Sequence, residues 1–138
     1  MTFPDAVKGR AVWTAAELAA DVNWIHILSQ SECAEVFEAT KAVMAQGLDP
    51  DGFDHSYFPL PTLAPMLDGL ARELHDGRGC ILIRGLPVDD YNETELQAAY
   101  WGIAAHFGEA ISQNSKGQRL AAVTDHGNDI SRGNTRGY

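Results

Sequence analysis

Three segments of this chain combine a helix start signal, an apolar stripe and a glycine stop, and they constrain the fold more than any other feature. The clearest begins at Ser29-Gln-Ser-Glu32, a capping box in which the serine hydroxyl accepts a backbone N–H and the glutamate reaches back. Apolar side chains then recur every three or four residues as far as Met44, and Gly47 ends the run. We therefore predict an amphipathic helix over residues 30–46.

The same signals predict two further long helices and one short helix. The long helices cover residues 63–76 and 93–107, and the second of them starts at Asn92 with Glu95 at the capping-box position. A third capping box predicts the short helix at residues 15–20. The chain is therefore expected to be rich in helix.

Short apolar runs bounded by glycine, proline and polar residues predict the strands. Residues 23–28 and 80–83 are too short and too rich in β-branched and aromatic side chains for helices. Two more strands are expected at residues 110–113 and 120–124, with a turn at residues 114–117 between them. We therefore predict a mixed α and β fold.

Charge and composition exclude several classes of partner. The 138 residues carry a formal net charge of −9, which repels nucleic acid and anionic lipid. The chain has neither a secretory leader pattern nor an apolar stretch long enough to span a bilayer, so a cytoplasmic location is expected. Cys33 and Cys80 both lie in apolar patterns, and we interpret them as buried, unpaired cysteines.

The order of the motifs in the second half resembles the entry to the catalytic domain of the TauD/TfdA family of oxygenases. Arg78-Gly-Cys-Ile-Leu-Ile-Arg-Gly-Leu86 is followed by a helix that ends in Phe107-Gly108, and residues 110–117 then match the family's approach to its substrate pocket. The resemblance implies that Gln113 and Asn114 contact the substrate.

The resemblance also implies a fold and a chemistry. It is strongest over residues 76–138, and residues 1–138 would form the N-terminal part of a single oxygenase domain. The expected fold class is α+β, with the helices packed on the first strands of an incomplete double-stranded β-helix, or jelly-roll. The complete domain would be a dioxygenase that uses Fe(II) and 2-oxoglutarate to oxidise a small organic substrate.

The metal site that such an enzyme needs is not evident in this sequence. A facial triad requires a histidine and an acid on one metal face, and on a strand these residues stand at positions i and i+2. None of the five histidines is followed by an acid at that spacing, and Arg136-Gly-Tyr138 looks like the stretch just upstream of the family's His-x-Asp motif. The nearest approach is His126-Gly-Asn-Asp129. We therefore predict no metal ligand and no catalytic residue here, and no cofactor bound to this chain alone.

A second hypothesis comes from a different class of function. The excess of acidic residues would also suit a complete, non-catalytic module that binds a protein partner through an acidic helical face. The polar, Gly/Arg-rich terminal segment favours the oxygenase hypothesis, because it offers only one large aliphatic residue in its last fourteen positions. The sequence carries no signal for the oligomeric state.

Overall fold

A computed structural model of the protein describes residues 8–121. Its elements, in chain order, are α1 (Ala15–Ala20), β1 (Ile25–Ile27), α2 (Gln30–Ala45), α3 (Ala64–Asp76), β2 (Leu82–Arg84) and α4 (Glu93–Ala104). Short 3-10 turns lie at His55–Tyr57 and Val88–Asp90. All four predicted helices are present, and the mixed α and β content confirms the coarse fold class.

Local capping explains why three of the helices begin where they do. The capping boxes at Thr14, Ser29 and Asn92 are all formed, each with the glutamate three residues on bonded back to the cap. Helix α4 ends at Ala104, three residues before the predicted end, because the N–H groups of His106 and Phe107 bond only three residues back in a tight turn.

The start of α3 is capped from outside its own sequence. The carboxylate of Glu35, on α2, accepts the N–H groups of Thr62 at 2.8 Å and of Leu63 at 2.9 Å. These N–H groups belong to the helix start, where no intrahelical partner exists. Helix α2 therefore also fixes the direction in which α3 leaves the preceding loop.

Strands β1 and β2 form a parallel pair, with Ile25 opposite Leu82 and Ile27 opposite Arg84. Residues 110–113, predicted as a strand, form none, because their only backbone hydrogen bond within residues 8–121 runs from the Gln113 N–H across a tight turn to the Gln118 oxygen. The predicted strand at 120–124 falls largely outside the described residues, and its first two positions are not in a strand.

The core lies between α2 and α4 and is completed by the loop that precedes α3. Helices α2 and α4 make the most extensive contact between any two elements of the described residues. Among the fully buried side chains are Val36 and Val43 of α2, Ala98 of α4, and Phe58 and Leu60 of the loop. Within residues 8–121, α2 and α4 bury their apolar faces against each other and this loop. The packing of the helices on the first strands of an incomplete β-helix stays a prediction.

Both cysteines are free and half-buried, which agrees with their expected unpaired state but not with full burial. The thiol of Cys33 donates to the backbone oxygen of Gly85 at 3.4 Å, next to the end of β2. Burial raises the pKa of Cys33 above its ordinary value. Cys33 is therefore a neutral packing residue between α2 and the sheet.

Within residues 8–121, no helix is long and apolar enough to cross a membrane. The cytoplasmic location stays a prediction.

Two helical glycines give opposite predictions for the same substitution. A Cβ on Gly102 of α4 would overlap the ring of the fully buried Phe58, whereas a Cβ on Gly69 of α3 would meet nothing within 4 Å. We expect Gly102→Ala to lower the free energy of unfolding by about 1–3 kcal/mol through overpacking. Gly69→Ala should raise it by about 0.5–1 kcal/mol through helix propensity.

Urea unfolding of the two variants, followed by circular dichroism, measures both effects. Gly69→Ala is the matched control, since it makes the same chemical change in a helix of similar length. Equal changes of the same sign in the free energy of unfolding of the two variants would show that α4 does not pack against Phe58 as described.

Candidate functional site

A cleft of about 1020 Å³ opens between the loop before α3 and the C-terminal end of α4. The residues that line it come from three segments, namely residues 52–55 of the loop, residues 101 and 104–110 at the end of α4, and Arg119. Concave sites of this size, with apolar walls and a few polar groups, suit small-molecule ligands. The cleft is therefore the candidate functional site of the described residues.

Donors from α4 and the turn after it hold the loop side of the cleft in place. The indole N–H of Trp101 donates to the backbone oxygen of Phe53 at 2.6 Å. Nε2 of His106 lies 3.0 Å from the backbone oxygen of Phe58, and a proton on this nitrogen makes it the donor. Because these loop carbonyls are satisfied from one rigid element, the cleft wall has a defined shape.

The polar groups at the cleft include two histidines and two acidic residues. The imidazole rings of His55 and His106 lie with centroids 5.7 Å apart, and Asp54 and Glu109 line the same cleft. Hydrogen bonds from the hydroxyl and backbone N–H of Ser56 hold the pKa of Asp54 below its ordinary value. The cleft can therefore both donate and accept hydrogen bonds, and it offers an ionised carboxylate at neutral pH.

Arg119 also lines the cleft. Its guanidinium lies 5.0 Å from the centre of the Trp101 ring and donates to the backbone oxygen of Asp51 at 3.0 Å. No sequence pattern assigned a contact to Arg119. Its partners stand 18 and 68 positions away, so no local periodicity could have revealed the contact.

The two predicted substrate residues do not line the cleft, although in the chain they lie between residues 104–110 and Arg119, which do. Gln113 and Asn114 are both exposed and belong to a small hairpin, residues 113–118, closed by a 2.7 Å bond from the Gln113 N–H to the Gln118 oxygen. The predicted turn is confirmed by the bond from the Gly117 N–H to the Asn114 oxygen at 3.1 Å. Substrate contact by either side chain stays a prediction.

The side chains of Gln113 and Asn114 make different hydrogen bonds in this hairpin. The Asn114 Oδ1 atom accepts the N–H groups of Lys116 and Gln118, at 3.0 and 3.2 Å, so its side chain builds the turn. Gln113 donates its Nε2 to the Ile111 oxygen at 3.1 Å, and its Oε1 accepts no hydrogen bond within residues 8–121. Of the two, Gln113 retains the group that a polar ligand can use.

An iron site does not fit the described residues. Between residues 8 and 121, no three histidine, cysteine, aspartate or glutamate side chains lie close enough together to hold a metal ion. His55 and His106 are neighbours, but a 2-His-1-carboxylate site needs a carboxylate converging on the same ion. The His126–Asp129 loop lies outside the described residues.

Comparison with known proteins gives two similarities and no match to a family model. The chain is 29% identical over 133 residues to FR-33289 synthase of Streptomyces rubellomurinus, and this covers 96% of the chain and 39% of that protein. It is 28% identical over 119 residues to the taurine hydroxylase-like protein SAT17 of Stachybotrys chartarum, covering 86% of the chain and 31% of that protein.

These similarities extend along most of the chain, so they include the helical half as well as the motifs after β2. The chain spans about two fifths and one third of the lengths of these relatives. The name of the second relative agrees with the TauD-like resemblance that the motifs carry.

Proposed function

We propose that residues 1–138 form the N-terminal part of a TauD/TfdA-like dioxygenase that uses Fe(II) and 2-oxoglutarate on a small organic substrate. The observation that carries the proposal is the similarity, over 86% of the chain, to a protein whose name, taurine hydroxylase-like, indicates an oxidative reaction. The similarity to FR-33289 synthase extends over 96% of the chain.

In this proposal the described residues supply substrate-binding surface and no iron ligands. The cofactors would supply the oxidising chemistry in the complete jelly-roll domain, and their ligands would come from outside residues 8–121. The contribution of this chain is the hairpin of residues 113–118 and the cleft beside it, held by α4.

Gln113 is the side chain proposed to contact the substrate. It is exposed, it lies in the hairpin that follows Phe107-Gly108, and its Oε1 can accept from a polar substrate. Asn114 lies beside it, but its Oδ1 is already used by the turn. The Asn114 Nδ2 also donates to the Gln118 Oε1 at 2.7 Å. We therefore assign Gln113 a direct contact, while Asn114 shapes the hairpin beside it.

The test requires the polypeptide that reads through in the same frame beyond residue 138, called here the extended protein. Gln113→Ala in the extended protein should raise the KM for the organic substrate about three- to tenfold, which is the worth of one hydrogen bond. The KM for 2-oxoglutarate should stay unchanged. Steady-state kinetics with each substrate varied in turn measures both constants.

Ser115→Ala is the matched control, since Ser115 lies in the same exposed hairpin and its side chain makes no hydrogen bond within residues 8–121. It should leave both KM values unchanged. Equal kinetics for the Gln113 variant and the unsubstituted protein would remove Gln113 from the substrate site.

A further inference from the structure

The segment of residues 111–118, which contains the hairpin, has no hydrogen bond to the rest of the described chain. Residues 111–118 are all exposed, and every hydrogen bond that they make within residues 8–121 stays inside this segment. Internal bonds give the hairpin its shape, but they do not orient it toward the cleft. The orientation must come from the residues that flank it.

Arg119 is the first such residue on the C-terminal side. Its guanidinium lies over the face of Trp101, which lines the cleft, and donates to the oxygen of Asp51, which directly precedes the cleft-lining residues 52–55. Trp101 is 7% exposed and is itself fixed by its bond to the Phe53 oxygen. A planar cation over an indole face, with one N–H committed to a carbonyl, has a defined orientation.

We infer that Arg119 and Trp101 form a clamp that positions the hairpin and presents Gln113 at the mouth of the cleft. Arg119 is a positioning residue, because it acts through the hairpin and not by touching substrate. Gln118 is the immediate neighbour of Arg119, and its backbone oxygen accepts the Gln113 N–H. A fixed Arg119 therefore also fixes the position of Gln113. The functional meaning of the clamp rests on the proposed role of Gln113.

The structural test uses the 138-residue chain and hydrogen exchange of the Gln113 amide, followed by NMR. Arg119→Gln removes the cation and the planar fork, and exchange of this amide should accelerate up to about tenfold, in keeping with the loss of one stacked cation–π contact. Arg119→Lys keeps a cation over the indole and should restore part of the protection. Exchange of the Val43 amide, in the core of α2, reports whether the fold is kept.

Lys116→Gln is the matched control. It removes the same charge from the hairpin itself, and the Lys116 side chain makes no hydrogen bond or ion pair within residues 8–121. In this variant the Gln113 amide should exchange at the same rate as in the unsubstituted chain. If Arg119→Gln and Lys116→Gln exchange alike while Val43 stays protected, the clamp does not exist.

The functional test uses the extended protein and separates the clamp from the proposed function. Arg119→Gln should raise the KM for the organic substrate with little change in kcat. Arg119→Lys should raise this KM less than Arg119→Gln does. Faster exchange together with unchanged kinetics for both Gln113→Ala and Arg119→Gln would keep the clamp and overturn the role of Gln113. Unchanged exchange would overturn the clamp whatever the kinetics.

Discussion

Replacing Phe58 with alanine is expected to lower the free energy of unfolding by about 3–5 kcal/mol. The Phe58 side chain is fully buried, and its ring stacks on Phe53 with centroids 5.9 Å apart. Gly102 approaches the same ring so closely that no Cβ fits there. The cavity left by the ring would lie between α4 and the loop, where neither element can move without breaking its anchoring bonds.

The size of this effect matters because a domain is stabilised by only about 5–15 kcal/mol in total. Guanidinium unfolding followed by circular dichroism measures it. Tyr57→Ala is the matched control, since it removes the neighbouring aromatic ring, which is 45% exposed. The control should stay within about 1 kcal/mol of the unsubstituted chain, as surface substitutions usually do. Equal losses at the two positions would show that the loop does not belong to the core.

The 138-residue chain alone is expected to release no succinate from 2-oxoglutarate. A facial triad needs three protein ligands on one ion, and residues 8–121 bring no three such groups together. His55 and His106 lie side by side, but no third ligand converges on them within residues 8–121, so they should hold Fe(II) only weakly. Chromatographic detection of succinate, with iron, ascorbate and 2-oxoglutarate supplied, measures the outcome.

Turnover by the short chain would contradict this expectation, and two variants would locate its source. Loss of that turnover in His126→Ala would place an iron site in the His126–Asp129 loop. Loss in His106→Ala would place it in the cleft, beside His55. The unsubstituted chain with Zn(II) in place of Fe(II) is the control for succinate that forms without redox chemistry.

Sequence patterns predicted the helices well because the signals that start and stop them lie next to one another in the chain. Ser29 and Glu32 are three residues apart, and their mutual bonds form in the structure as the pattern indicated. The cap of α3 could not be predicted in this way. Glu35 lies 27 residues before the Thr62 N–H that it accepts, and only the packing of α2 brings the two together.

The strand at residues 110–113 was predicted from its place before the turn at residues 114–117, but a strand is defined by its partner. Ile111 is 73% exposed, and the backbone bond from Gln113 goes to a residue only five positions away. The cleft escaped prediction for a related reason, since Arg119 meets Asp51 across 68 residues of chain. Contacts between distant residues depend on the packed core, which no local pattern encodes.

The most direct test of the proposed oxygenase function is Fe(II)-dependent succinate release by the extended protein when a small organic substrate is supplied. We predict an in-frame His-x-Asp or His-x-Glu motif beyond residue 138. We also predict succinate release that requires iron and is lost when the histidine of that motif is replaced. A reading frame that ends without such a motif, or an extended protein that binds 2-oxoglutarate in no measurable amount and releases no succinate, would contradict the account. Either result would instead favour the acidic interaction module.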